Sequence, residues 1–186
     1  MCLAAMATRK CLRRTVTGLA VLVLPISSPA YAQKPSPACK LLQPAEIEAA
    51  LGGKAASTPT GFDDEADIAM YTCTVEIRKP GIDGPLVVTI QIVKNLPMDG
   101  RDAVRSRNRG LASEPQWKVV GGQFEEKTVG NAMCTRHGRP GVAAHSVCTI
   151  PGAHGYVEVD VQAPTQEAMA SMDAVGALVR KAVTRL

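Results

Sequence analysis

Aromatic side chains are scarce in this chain, at 3% of residues, and beyond residue 32 only Phe62, Tyr71, Trp117, Phe124 and Tyr156 remain. So few rings are thin material for stacking bases or sugars. A charge surplus is missing as well. The 21 Lys and Arg outnumber the 17 Asp and Glu, but four of the bases lie in the first 32 residues, leaving 17 against 17. A near-neutral remainder gives no electrostatic footprint for nucleic acid or a membrane surface. Catalytic signatures are absent too: there is no G-x-S-x-G, no H-E-x-x-H, no P-loop and no Rossmann fingerprint. No two cysteines beyond the N-terminal segment are spaced C-x-x-C, which argues against a structural zinc site. These absences lead to the expectation of a non-enzymatic protein with no cofactor and no nucleic-acid partner.

What the N-terminus does contain is a targeting pattern. Arg9, Lys10, Arg13 and Arg14 make a basic start, Val16 to Ile26 form an apolar run, and Ala30-Tyr31-Ala32 has the small-x-small form of a cleavage site. Together they predict a signal peptide over 1–32 and a periplasmic or secreted product. The apolar run is too short for a spanning helix and no second one follows, so no transmembrane segment is expected. Acylation of Cys39 is the weaker alternative, because Ser36-Pro37-Ala38 lies well past the apolar run and has no aliphatic residue before it.

Cysteine usage agrees with export. Cys2 and Cys11 fall in the leader, leaving Cys39, Cys73, Cys134 and Cys148. Four cysteines in an oxidising compartment imply two disulfides with three possible connectivities. We favour Cys39–Cys73 and Cys134–Cys148. The second pair faces across a hairpin centred near Gly141, and a loop of about fifteen residues so closed stabilises by roughly 3 kcal/mol in the chain-entropy account.

In chain order, 33–43 reads as a flexible, Pro-rich N-terminal lead-in, and 44–186 as a single domain of a size that buries a real core. Pro44 to Leu51 predicts a short helix ended by Gly52-Gly53. Lys54 to Ala66 reads as a loop. Met70–Arg78 and Leu86–Val93 alternate as strands, with Tyr71, Cys73, Val75 and Ile77 on one face. Asp99 caps a helix running to Ala112. It carries a basic stripe, Arg101, Arg105 and Arg109, for which a solvated face is the plain explanation and an acidic partner the functional one. Trp117–Val120 and Glu125–Val129 read as short strands. Cys134 to Val161 then forms two successive hairpins, turning near Gly138–Gly141 and Pro151–Gly155. A last helix is expected over Gln166–Arg185, capped by Thr165. This order predicts an α+β fold, a curved antiparallel β-sheet with helices packed on it.

The run Cys39-Lys40-Leu41-Leu42-Gln43-Pro44-Ala45-Glu46-Ile47-Glu48-Ala49-Ala50-Leu51-Gly52-Gly53, followed by Tyr71-Thr72-Cys73, resembles the opening of a family of small exported bacterial proteins of unknown function. Many of these are actinobacterial Cys-x-Leu-Leu lipoproteins. Val129-Gly130-Asn131-Ala132 and Ala177-Leu178-Val179-Arg180-Lys181-Ala182 resemble its second half. The resemblance implies a PsbP-like α/β/α sandwich serving binding or assembly. The chain departs from that family in lacking a lipobox.

One local constellation bears on chemistry. With the hairpins centred on their turns, His137 faces His145 across the first, and His145 faces Asp160 across the second, all opposite the valine face. Two imidazoles and a carboxylate are a donor set for zinc or copper, and polar residues on a wet face are the plain alternative. The expected function is an exported binding or assembly module with an envelope or secreted protein partner. The alternatives are a metal-binding protein or metal-dependent enzyme on His137, His145 and Asp160, and an inhibitor of a secreted hydrolase whose disulfide loop presents Arg139.

Overall fold

The computed structural model describes residues 36–186, so the expected signal peptide and its cleavage site lie outside the described residues. An eight-stranded antiparallel sheet forms the centre. Its strands are β1 (Lys54–Ala55), β2 (Thr60–Asp64), β3 (Ala69–Arg78), β4 (Leu86–Lys94), β5 (Gln123–Val129), β6 (Ala132–Gly138), β7 (Ala144–Gly152) and β8 (Gly155–Ala163). Their order is β1-β3-β4-β8-β7-β6-β5, with β2 also paired to β3. Three α-helices, α1 (Pro44–Leu51), α2 (Gly100–Ser113) and α3 (Met172–Val183), complete the α+β fold.

Alternation along the central strands decides which helix goes where. Cys73, Val75 and Ile77 of β3, Val88 and Ile90 of β4, and Val157, Val159 and Val161 of β8 share one face and are buried. Against that face pack α1, α3 and a 3₁₀ turn at Pro37–Lys40. The apolar stripe of α3 is Val175, Leu178, Val179 and Ala182, each at most 2% exposed. Burying such side chains stabilises by roughly 1.5–3 kcal/mol each, which makes this layer the main core. On the opposite face α2 lies over β7 and β8. There Arg107 reaches Thr149 and Glu158, residues that alternate with buried Cys148 and Val159.

Both expected disulfides are present, Cys39–Cys73 and Cys134–Cys148. The first joins the N-terminal turn to β3, so its Cys39 thiol is spent in the disulfide, against the acylation alternative. The lead-in expected to be flexible is packed from Ser36 onward, with Ala38, Leu41 and Leu42 buried. The second disulfide joins directly opposed residues of β6 and β7, as the turn centre implies. Glu46 of α1 takes bonds from Arg185 and Lys181 at the C-terminal end of α3, tying the two helices.

Several elements differ from the sequence reading, each for a local reason. The loop expected over 54–66 contains β1 and β2, and every residue of β2 is exposed, so no alternation marks it. The strand expected at Trp117–Val120 is instead a 3₁₀ turn over Pro115–Lys118, started by a proline whose fixed φ suits it. The last helix begins at Met172 rather than Gln166. Ser171 caps it by accepting the Ala174 N–H, while Ser146 Oγ donates to the Ala170 carbonyl and holds the preceding segment to the sheet.

Candidate functional site

Between α2, the 3₁₀ turn after it and the polar face of β6–β8 lies a cleft of two adjoining cavities, about 270 and 160 Å³. His137 and His145 line both. Two features hold α2 over the sheet to make it. Asp99 caps the helix by accepting the Arg101 N–H. Gly100 lets the helix start against the β7–β8 turn, since a Cβ there would stand 2.0 Å from the Gly155 carbonyl oxygen.

The register places the sequence-derived trio side by side. His137 is directly opposite His145, and their rings stack with centroids 5.2 Å apart and planes 11° from parallel. His145 is opposite Gln162 rather than Asp160, a correction to the expected pairing. Asp160 is the diagonal neighbour on the same face, close enough that its carboxylate lies 3.0 Å from His145 Nδ1. Diagonal neighbours remain within reach of long side chains, which is why the contact survives the different register.

Environment sets the two imidazoles apart. The hydrogen bond with Asp160 holds His145 above the ordinary histidine range. Burial, and then the charge on His145, hold His137 below it. Their surroundings therefore push the two stacked rings in opposite directions. Trp117 meets His137 edge-on with centroids 5.2 Å apart, and Phe124 lies 6.4 Å from each of these two rings. Trp117 is itself fixed, its Nε1–H donating to the Leu111 carbonyl at 2.6 Å. Near-parallel rings do not aim their nitrogen lone pairs at one point. Among the described residues no group of three or more His, Cys, Asp or Glu side chains is placed to hold a metal ion.

Sequence reasoning missed the inner wall. Arg107 donates to Glu158 through Nη1 and to Thr149 Oγ1 through Nη2 at 3.0 Å, and Thr149 donates in turn to Glu158 at 2.7 Å. Arg107 sits off the basic stripe of α2 and faces the sheet. Glu158 shares the face of Asp160 two residues on, the one sequence signal that pointed here. Three buried polar atoms around the cleft have no hydrogen-bond partner among the described residues: Arg107 Nε, Thr135 Oγ1 and His137 Nδ1. Such orphans are rare in native interiors, because an unmade buried hydrogen bond costs about 1–3 kcal/mol.

The remaining sequence candidates lie at the edges. Arg139 sits in the exposed β6–β7 turn and lines the larger cavity. Arg101, Arg105 and Arg109 are exposed on α2. The first two line a separate groove with Thr128 and Asn131, away from the histidines.

No protein-family model matches the chain, and no curated protein matches it. Among solved structures it is similar to the crystal structure of the extracellular domain of PknH from Mycobacterium tuberculosis, at 13% identity and a TM-score of 0.44, covering 78% of this chain and 92% of that one.

Proposed function

We propose that this chain is an exported, non-enzymatic binding or assembly module of the cell envelope, with the cleft beneath α2 as its ligand site. The observation that carries the reading is the set of orphaned polar atoms around that cleft, Arg107 Nε, Thr135 Oγ1 and His137 Nδ1. Sites of this kind combine an apolar wall with a few fixed polar groups. Here Leu111, Trp117, Val142 and Ala143 supply the wall. Two disulfides fit an oxidising, exported location. They brace β3 and the β6–β7 hairpin, and the second lies directly behind the histidine face.

The test is a thermal-shift screen of the small-molecule fraction of envelope extract, run on the oxidised protein and on an Ala143→Phe variant that fills the cleft. A fraction that raises the parent's Tm and leaves the variant's unchanged supports the reading. No shift, or equal shifts in both proteins, overturns it.

Metal binding by His137, His145 and Asp160 is the second reading, favoured by the unpartnered Nδ1 of His137. It requires one imidazole to turn out of the stack. Calorimetry with zinc on the parent and on His145→Ala tests it: binding lost in the variant supports a site, and equal binding or none in the parent rejects it.

A further inference from the structure

We infer that the cleft beneath α2 takes a small carboxylate with an apolar body, its carboxylate toward Arg139 and its body against Trp117 and Leu111. The inference rests on the ligand-site reading above and names the class of ligand.

It follows from which groups around the cleft are already matched. Three carboxylates stand nearby, and each is satisfied within the protein. Glu114 accepts from the Gln116 amide, Glu158 from Arg107 and Thr149, and Asp160 from His145. The donors are not all matched. Arg139 is in no ion pair among the described residues. Arg107 Nε, which can only donate, and the Thr135 hydroxyl are orphaned. A ligand that complements this wall must bring acceptors, and an anionic acceptor makes the stronger bonds to Arg.

The apolar half of the larger cavity limits the rest of the ligand. Leu111, Trp117, Val142 and Ala143 offer surface with few polar atoms, and about 270 Å³ admits a single ring or short alkyl chain. A free phosphate or a polymer would leave that wall uncovered.

Trp117 is the only tryptophan of the chain, so its selectively excited fluorescence reports on the cleft wall. The experiment titrates the oxidised protein with benzoate and, separately, with its neutral isostere benzamide, and repeats both with Arg139→Gln. We expect saturable change with benzoate, binding at least about tenfold weaker for benzamide, and a preference reduced several-fold in the exposed-turn variant. Equal binding of the two probes overturns the carboxylate assignment and leaves the ligand site standing. Binding of neither probe overturns the carboxylate assignment, while the extract screen with the filled-cleft variant decides separately whether the site takes another ligand. Benzoate preference unchanged in Arg139→Gln overturns the placement of the carboxylate.

Discussion

His137 and His145 stand one strand apart in a common stack, yet their neighbours push them in opposite directions, and this has consequences for pH dependence. Asp160 raises His145, so the folded state holds that proton more tightly than the unfolded chain. The resulting stabilisation is complete below about pH 6.5 and is lost as pH rises through the folded pKa. His137 is lowered by burial, so it subtracts stability as pH falls below about 6.5, where the unfolded chain takes up the proton first. Proton NMR of the two rings should show His145 titrating above His137. Asp160→Asn should bring His145 down, and an unchanged order and spacing in that variant would contradict the assigned contact. Thr135 gives a second check at this scale. Its buried hydroxyl has no partner among the described residues, so Thr135→Val should leave unliganded stability within about 1 kcal/mol or raise it. A loss above about 2 kcal/mol in chemical denaturation would mean that the hydroxyl is bonded in the folded protein.

At the scale of elements, the placement of α2 over the sheet depends on close approach rather than on apolar packing, since Val104 is its one buried aliphatic side chain. Gly100→Ala should therefore force the helix start away from the β7–β8 turn and cost about 1–3 kcal/mol, read as a lower Tm. An unchanged Tm would show that the contact yields without strain. The α1–α3 tie makes a different prediction. Arg185 first, then Lys181, hold the Glu46 carboxyl well below the usual carboxylate range. Its contribution is present above about pH 4.5 and is lost as pH falls through the folded value. Glu46→Gln should flatten the acid limb of the stability profile, whereas an acid limb identical to the parent's would remove Glu46 from the account. Much of this layer was legible in the sequence: α1 occupies its expected span, and the period-two faces of β3, β4 and β8 follow their valines and isoleucines. What was not legible was decided by distant contacts. The segment before Met172 has a helical apolar pattern but is held to the sheet by Ser146. The wholly exposed β2 carries no pattern and is specified by pairing with β3. His137, His145 and Asp160 could be read from hairpin turns, and Thr135 shares the face of His137 two residues along β6, while Arg107 and Trp117 join them only because α2 folds across.

At the scale of the whole molecule, one face of the sheet is spent on the core and the other is partly roofed by α2, leaving the histidine cleft at the open end of the roof. No described helix is long and apolar enough to cross a membrane. The Cys134–Cys148 disulfide stiffens the β6–β7 hairpin behind the cleft, so occupation should change side chains and the roof more than the strands. The most direct test is nitrogen–proton NMR mapping of the oxidised protein titrated with benzoate. The account predicts shifts centred on Leu111–Trp117 and His137–His145, with the α3 side of the sheet quiet. Shifts centred instead on the apolar groove near Tyr156 and Leu186, or none at saturating probe, would contradict the placement of a carboxylate site beneath α2.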